Sequence, residues 1–271
     1  MKHRLGSLIV AGIIFLFVGI MAPTPVGAND GHIPLVTRTL GGVTTTNLDD
    51  NFESPVSGNT PNNGSFPGSW TVTTGSGSTV QNWDASLSPN LAAFQGNQYV
   101  RLSRPGGGFS LLGGTFGVGE TPTSFTTGKL QIQFALRVTT YTPDFQAGVE
   151  LDAGSFNDPD IRFSLVTKSD GSIHHYVTGS TYTPTGITGF STNDWQRWLI
   201  DVDLDNNRYN LTVDNQSAFN LPFFTTGPNP TSRLLFSAGN TGAQMFIDAL
   251  PEPTAMTLLG VSGLLLLRRR R

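Results

Sequence analysis

A strict alternation of apolar and polar residues constrains this chain more than any other feature. The stretch 130–138, LQIQFALRV, places an apolar residue at every second position. This period of two predicts a β-strand with one face in a core, because successive side chains of a strand point to opposite faces. Shorter runs of the same kind occur at 70–74, 98–103, 161–167, 173–178, 233–239 and 244–248.

The segment 194–221 predicts a β-hairpin followed by a third strand. Apolar residues alternate from 198 to 204 and again from 209 to 213, and the sequence Asp-Asn-Asn at 205–207 separates the two runs. Asn and Asp tolerate the left-handed backbone conformation that tight turns require. A second turn at Asp214 and Asn215 leads into the third strand.

The composition agrees with an all-β fold. The 271 residues include 32 glycines, only 13% are charged, and the middle of the chain has no sustained helical period. About a dozen strands at spacings near ten residues predict a sandwich or a barrel. The absence of cysteine excludes disulfides, thiolate metal sites and thiol nucleophiles.

The charge distribution argues against nucleic acid as a partner. Six of the 16 basic residues lie in the two chain ends, and the remaining chain is acidic. Binding to phosphates needs clustered Lys and Arg, so no nucleic-acid partner is expected.

Residues 1–28 have the organisation of a secretory signal peptide. Lys2 and Arg4 precede an apolar run at 8–20, and small residues follow up to Ala28. We expect signal peptidase to cleave after Ala28. The alternatives are an uncleaved N-terminal anchor and a core helix.

The C-terminal segment 251–271 combines two prolines, an apolar run and four arginines. The uncharged run at 254–267 has 14 residues, which is short for a membrane-spanning helix. Arginines after such a run hold that end on the cytoplasmic side of a membrane. Pro251 and Pro253 keep the approach extended, because proline cannot continue a helix upstream.

This tail resembles the PEP-CTERM sorting signal in the order of its parts. These are the sequence Pro251-Glu252-Pro253, a short apolar helix and the cluster Arg268, Arg269, Arg270 and Arg271. The resemblance implies that exosortase, a membrane-embedded transpeptidase, cleaves near the Pro-Glu-Pro element. It also implies transient anchoring in the inner membrane and delivery to the surface or matrix of a Gram-negative-type bacterium. A permanent single-span anchor is the alternative.

The middle of the chain resembles the concanavalin-like jelly-roll lectins and glucanases. The resemblance rests on the stretch 195–214, WQRWLIDVDLDNNRYNLTVD, and on the NFES element at 51–54. It implies an antiparallel jelly-roll sandwich at 48–250, with 29–47 as an N-terminal linker. A galactose-binding-type jelly roll is the rival, and whether the parts before and after Gly128 form one sandwich or two is open.

The resemblance directs attention to carboxylates, since glucanases of this fold carry an E-x-D-x-(x)-E strand. Glu150 and Asp152 match its start, but no second glutamate follows. We therefore predict a polar strand face and no catalytic residues, with a glycan-cleaving enzyme as the alternative. The adjacent His174 and His175 point to opposite strand faces and cannot chelate one metal together.

Calcium is the one cofactor that the sequence suggests. Asp50, Asn51 and Glu53 near the domain start, with Asp248 near its end, form a candidate calcium site, because first and last strands of jelly rolls often run side by side. Asp201, Asp203 and Asp205 instead suit a solvated strand face. Asn206 stands where an EF-hand loop needs glycine.

Together these features predict an exported, non-enzymatic surface or matrix protein with a lectin-like sandwich. Exopolysaccharide is the expected partner, and no residue is singled out as a ligand contact. Trp70, Trp83 and Tyr182 are candidates for stacking on sugar rings, although such aromatics are more often core residues.

Overall fold

The computed structural model describes residues 32–33, 35–50, 52, 69–75, 77–84, 93–94, 98–106, 110–118, 121–139, 147–152, 161–177, 181–191, 194–225, 230–239 and 242–251. Over these residues the protein is all-β, without a helix. In this part of the chain, accordingly, no helix is long and apolar enough to cross a membrane. The predicted signal peptide, most of the predicted sorting tail, and the residues Ala28, Glu252, Pro253 and Arg268 to Arg271 lie outside it.

Within the described residues the larger sheet has nine strands. They are β2 (Val36–Leu40), β3 (Val43–Leu48), β5 (Thr79–Asp84), β6 (Gln98–Ser103), β10 (Lys129–Thr139), β15 (Gln196–Asp203), β16 (Arg208–Val213), β17 (Gln216–Pro222) and β19 (Gln244–Asp248). The order is β17-β16-β15-β10-β19-β6-β5, and all pairs are antiparallel. Strand β2 pairs with residues 129–132 of β10, on the same side of β10 that pairs with β19 from residue 135 onward. Strand β3 pairs with β2.

The second sheet has seven strands in the same part of the chain. They are β4 (Ser69–Thr74), β7 (Ser110–Thr115), β11 (Ala147–Asp152), β12 (Ile161–Thr167), β13 (Ile173–Val177), β14 (Thr181–Pro184) and β18 (Arg233–Ala238). Their order is β14-β13-β12-β11-β18-β7-β4, and all pairs are antiparallel. Two short pairs complete the description: β1 (His32–Ile33) with β20 (Leu250–Pro251), and β8 (Gly117–Val118) with β9 (Thr121–Pro122).

The two large sheets pack face to face as one sandwich. Phe134 of β10 meets Phe236 of β18 edge to face at 5.0 Å between ring centroids, and Phe163 of β12 stacks on Tyr209 of β16 at 4.8 Å. Edge-to-face and offset stacked rings are the favourable aromatic geometries in a core. Both sheets take strands from before and after Gly128, so the alternative of two small sandwiches is wrong.

The predicted strand runs are confirmed. The run at 130–138 lies within β10, whose apolar residues are all buried while Lys129 and Gln131 are exposed. The predicted hairpin is β15 and β16, and β17 is its third strand. Asn207 and Asp214 in the two turns have φ angles of 52° and 50°, the left-handed conformation that these residue types tolerate.

The predicted linker at 29–47 needs correction, because β2 and β3 form a hairpin of the nine-stranded sheet there. Its turn is Gly41-Gly42, with φ angles of 57° and 81° at the two residues, as a two-residue hairpin turn requires. The predicted domain start at residue 48 thus falls inside a paired strand. The hairpin escapes an apolar-period search because threonines, which favour strands through their branched Cβ, occupy five of its eleven strand positions.

Candidate functional site

The outer surface of the seven-stranded sheet is built from the side chains that alternate with the core residues of its strands. We call this surface the front face; its central residues are Glu150, Asp152, Arg162, Ser164, His174, Tyr176, Tyr182 and Arg233. Charged and hydroxyl groups thus line one side of a sheet whose other side is apolar. The prediction that Glu150 and Asp152 share a strand face agrees with this register.

A buried ion pair forms the floor of the front face. Asp152 and Arg233 lie directly opposite each other on β11 and β18. Arg233 donates from Nη2 to Asp152 Oδ2 at 2.7 Å and from Nε to Oδ1 at 3.0 Å, and the two side chains are 9% and 1% exposed. Two parallel charge-assisted hydrogen bonds hold both side chains in one orientation.

Gly113 on the neighbouring strand β7 makes room for this arginine. A Cβ atom at Gly113 would lie 3.0 Å from Arg233 Cδ. That distance is shorter than ordinary van der Waals contact, so a larger residue would displace the arm of Arg233. The glycine therefore helps to set the position of the ion pair.

A hydroxyl network joins the next strands. The Ser164 hydroxyl donates to Glu150 Oε1 at 2.8 Å, and Ser164 Oγ lies 3.3 Å from the Tyr182 hydroxyl. A serine hydroxyl has a single hydrogen, so Tyr182 is the donor in the second bond. The network links β11, β12 and β14, with Ser164 bonded to both Glu150 and Tyr182.

An aromatic ledge borders this network. Tyr176 lies 5.0 Å from Tyr182 and 4.3 Å from Phe224 between ring centroids, and all three rings are half-buried. The segment that carries Phe224 is tied to β12, because the Phe224 amide donates to the Arg162 carbonyl at 2.7 Å. We use the name aromatic ledge for these three rings.

His174 ends a chain of hydrogen bonds at one side of the front face. Ser172 donates its hydroxyl to Asp170 Oδ1 at 2.5 Å, and these bonds hold the pKa of Asp170 below its ordinary value. His174 Nε2 lies 3.0 Å from Ser172 Oγ and is the donor there, because the serine hydrogen is already engaged. His175, on the opposite face, is buried beside Tyr209, and burial lowers its pKa.

The structure separates the three aromatic candidates for sugar stacking. Trp70 packs against Phe52 and the core, and its indole N–H donates to Asp50 Oδ2 at 2.8 Å. Trp83 lies on the outer surface of the nine-stranded sheet. Tyr182 alone belongs to the front face.

Two of the four predicted calcium residues lie within the described chain, and both accept hydrogen bonds from other parts of the fold. Asn51 and Glu53 lie outside the described chain. Asp50 accepts hydrogen bonds from the Phe52 amide at 2.7 Å and from Trp70, and the fully buried Asp248 accepts from the amides of Phe94 and Ala249, both at 2.8 Å. No three His, Asp or Glu residues among those described are grouped as metal ligands. Calcium binding stays a prediction.

Part of the outer surface of the nine-stranded sheet forms a second polar surface, which we call the back face. A depression of about 470 Å³ is lined there by Thr37, Thr39, Thr44, Lys129, Leu130, Gln131, Asp201, Val202, Asp203 and Asn210. Gln131 donates to Asp201 Oδ1 at 3.0 Å, and hydrogen bonds from Asn206 lower the pKa of Asp203. Asp201 is exposed and Asp203 half-buried, as predicted for a solvated strand face.

Sequence reasoning missed most of the front face. Ser164, Tyr176, Phe224 and Arg233 carry no motif. The available signal was an arginine opening an otherwise apolar strand at 233–238, since a charge there needs a partner across the sheet. The identity of that partner depends on strand pairing, which distant parts of the chain determine.

Comparisons with known proteins assign no family. No family model matches the chain, and no curated protein matches it. Similar solved structures include a sialidase, at 10% identity and a TM-score of 0.48, covering 69% of this chain and 17% of the sialidase. A carbohydrate esterase, vb_24B_21 of the Shiga toxin-encoding bacteriophage phi24B, has 14% identity and a TM-score of 0.46, covering 66% and 87%.

A third similar structure is the potassium-bound carbohydrate recognition domain of Emp46p, at 12% identity and a TM-score of 0.40, covering 68% of this chain and 88% of that one. The chain spans less than a fifth of the sialidase. With identities under 25% and TM-scores under 0.5, these likenesses assign neither an activity nor a ligand to this chain.

Proposed function

We propose that the protein is an exported, non-catalytic glycan-binding protein whose sugar site is the front face. The observation that carries this proposal is the aromatic ledge beside the hydrogen-bonded group of Glu150, Ser164 and Tyr182. A ring face offers apolar contact to one side of a sugar, while carboxylate and hydroxyl groups bind its hydroxyls. Binding sites of this kind combine apolar walls with a few positioned polar groups.

The hydrogen bonding of the front face supports recognition of a defined ligand. The Asp152–Arg233 ion pair and the Ser164 bridge hold their side chains before any ligand arrives. A site that is already ordered loses less side-chain entropy when a ligand binds. We therefore infer that this face selects neutral sugars that present one particular arrangement of hydroxyl groups.

The non-catalytic part of the proposal rests on the state of the carboxylates. A retaining glycosidase needs a nucleophile and a separate acid/base carboxyl about 5 Å apart. Asp152 is held by two hydrogen bonds from Arg233, and Glu150 accepts a hydrogen bond from Ser164. Release of reducing ends from any polysaccharide, abolished by Glu150→Gln, would establish the enzyme alternative instead.

Glycan binding is tested on an array with the full chain. We expect Tyr182→Ala to weaken binding at least tenfold, about 1.4 kcal/mol, because it removes both a ring of the ledge and a hydroxyl of the network. Phe219→Ala is the matched control, since Phe219 is an aromatic residue that is 71% exposed on the edge strand β17 of the other sheet. Equal loss in both variants, or silence of the wild type across the array, would refute this function.

The proposal includes export and processing by signal peptidase and exosortase, with exopolysaccharide as the partner at the cell surface or in the matrix. Its support is the order of the signal-like and PEP-CTERM-like segments in the sequence. Strand β1 pairs with β20, so His32 stands opposite Pro251 in the described chain, an arrangement compatible with processing at both ends.

Mass spectrometry of the protein from the cell-surface fraction tests the processing. A mature chain that begins after Ala28 and ends near Pro251 is the expected result. Recovery of intact Arg268 to Arg271 from that fraction would favour a permanent single-span anchor and leave the glycan site unaffected.

A further inference from the structure

A second cluster of aromatic residues lies on the outer surface of the nine-stranded sheet, beyond the back-face depression. Tyr99 packs edge to face on Phe246 at 5.5 Å and on Trp195 at 6.0 Å between ring centroids, and Trp83 packs against the same cluster. Tyr99 and Phe246 are almost completely buried, whereas Trp83 and Trp195 are half-buried. The two indoles therefore form the accessible part of this cluster.

Three arginines are interleaved with these rings on the same surface. Arg101 of β6 and Arg137 of β10 both stand opposite Phe246 of β19, one on each side. Arg197 of β15 stands opposite Ala135, two residues before Arg137 on β10. Because neighbouring strands lie about 4.8 Å apart, Arg101 and Arg137 are separated by roughly 10 Å across the sheet. We call Arg101, Arg137 and Arg197 with the two indoles the arginine face.

Two of the three guanidinium groups contact rings, and within the described residues no ion pair joins any of the three to a carboxylate. The Cζ atom of Arg101 lies 4.6 Å from the ring centroid of Trp83, and that of Arg197 lies 5.3 Å from that of Phe94. The Nε atoms of Arg101 and Arg137 are buried and, within the same part of the chain, have no hydrogen-bond partner.

The acidic groups near the arginine face include Asp214, whose Oδ1 accepts the Arg197 backbone amide at 2.9 Å, and Asp194 and Asp248, which also accept hydrogen bonds. Asp194 accepts a hydrogen bond from the Ser191 hydroxyl at 2.6 Å. Its charge raises the pKa of Arg137, but burial has the larger effect and lowers that pKa. Asp248 is fully buried and accepts the amides of Phe94 and Ala249. Three of the ten basic residues between the predicted end segments thus form one positive surface on an acidic chain.

We propose that the arginine face binds an acidic polysaccharide, with guanidinium groups on the carboxylates and the indoles of Trp83 and Trp195 against the sugar rings. Arginine matches a carboxylate with two parallel hydrogen bonds, and indole offers a flat apolar surface. The three arginines lie on β6, β10 and β15, and the accessible indoles lie beside them on β5 and directly before β15, which suits a polymer whose units each carry a ring and a carboxylate. This site lies on the sheet opposite the front face and does not depend on the neutral-glycan proposal.

Calorimetric titration of the full chain with polygalacturonate, and with dextran as the uncharged polymer, tests this inference. We expect polygalacturonate to bind more tightly than dextran and to weaken as salt is raised, because salt screens exposed charges. Arg197→Gln and the double variant Arg101→Gln/Arg137→Gln should each weaken binding at least tenfold. Arg197 is exposed, so its substitution tests the surface without disturbing the half-buried pair.

Arg208→Gln is the matched control, because Arg208 is exposed on the same sheet surface and its loss changes the net charge equally. It stands opposite Asp203 on β15, roughly 20 Å along the strand from Arg197 at about 3.3 Å per residue. Equal weakening by Arg208→Gln, equal binding of polyglutamate, or no binding of polygalacturonate would overturn the proposal. Tyr182→Ala should leave polygalacturonate binding intact, which separates this site from the front face.

Discussion

The outer surfaces of the two sheets obey the same alternation and yet differ in chemistry. On the front face the outward residues Asp152, Arg233 and Ser164 are almost completely buried; Asp152 is paired with Arg233, and Ser164 donates a hydrogen bond to Glu150. On the back face the outward residues Gln131 and Asp201 are exposed and joined by one hydrogen bond. The alternation of a strand therefore determines only which side of the sheet a residue occupies. The surrounding residues determine whether a charged side chain there is solvated or forms part of a buried ion pair.

The largest expected difference between the faces comes from the same substitution made on each. Asp152→Asn removes one charge of a buried pair and should lower the free energy of unfolding by about 3–5 kcal/mol. Asp201→Asn on the exposed back face should change it by less than about 0.5 kcal/mol. Urea denaturation of both variants measures this.

The double variant Asp152→Leu/Arg233→Met sharpens the test, since replacing both partners by apolar residues removes the unpaired charge. It should be more stable than Asp152→Asn alone. Similar losses in Asp152→Asn and Asp201→Asn would mean that the front-face pair is solvated after all.

Alanine substitutions at two neighbouring glycines of β7 compare the core side of this strand with its front-face side. A Cβ at Gly114 would lie 2.4 Å from Leu48 Cδ2 and 2.8 Å from Trp70, so Gly114→Ala should cost about 1–3 kcal/mol through overpacking. Gly113→Ala should cost less, because its nearest neighbour is the side-chain arm of Arg233. Thermal unfolding gives both values, and a larger loss for Gly113→Ala would contradict the assignment of faces.

Removing one hydroxyl from each surface gives a smaller effect. Ser164→Ala breaks the buried link between Glu150 and Tyr182 and should cost roughly 0.5–1.5 kcal/mol. Thr39→Ala removes an exposed hydroxyl contact with Thr44, at 2.8 Å, and should stay within about 0.5 kcal/mol of the wild type. Chemical denaturation distinguishes them, and an equal cost would argue against a network held in place on the front face.

The last comparison uses pH and the adjacent histidines of β13. Burial lowers the pKa of His175, so this side chain takes up a proton at a higher pH in the unfolded chain than in the folded protein. Unfolding free energy should fall as pH drops below the ordinary histidine value of about 6.5, and the fall should end below the folded pKa. Denaturation between pH 7.5 and 5.5 measures this slope, which His175→Phe should flatten.

His174→Asn is the control for this pH effect. It removes the charge of the neighbouring ring but leaves the burial of His175, the larger cause, in place. Most of the slope should persist in this variant. A slope that disappears in His174→Asn and survives in His175→Phe would reverse the assignment of the two side chains.

The strands with apolar alternation could be predicted from sequence, whereas the hairpin of β2 and β3 could not. In β10 the apolar residues at every second position mark a strand without reference to the rest of the chain. In β2 and β3 threonines replace the apolar signal, and pairing with β10 determines that the segment is part of the sheet. The glycine pair at 41–42 was the one local sign of a turn.

The candidate site shows the same division. The common face of Glu150 and Asp152 follows from strand geometry alone. Their partners do not, because Ser164 and Arg233 lie 14 and 81 residues away in sequence. The same holds for two residues of the predicted calcium site. Asp50 accepts a hydrogen bond from Trp70 and Asp248 accepts one from Phe94, and the spacing of these residues in the sequence does not predict either bond.

By itself the sequence determined the all-β character, the strand faces and the turns of the β15–β17 region, because these depend on the side-chain period and on the conformational tolerance of Asn, Asp and Gly. Only the tertiary structure decided that one sandwich forms, that Asp152 meets Arg233, and that three arginines gather on one sheet. Those outcomes depend on which distant strands become neighbours. Strand pairing is a property of the whole chain, since the two sheets must bury their apolar faces together.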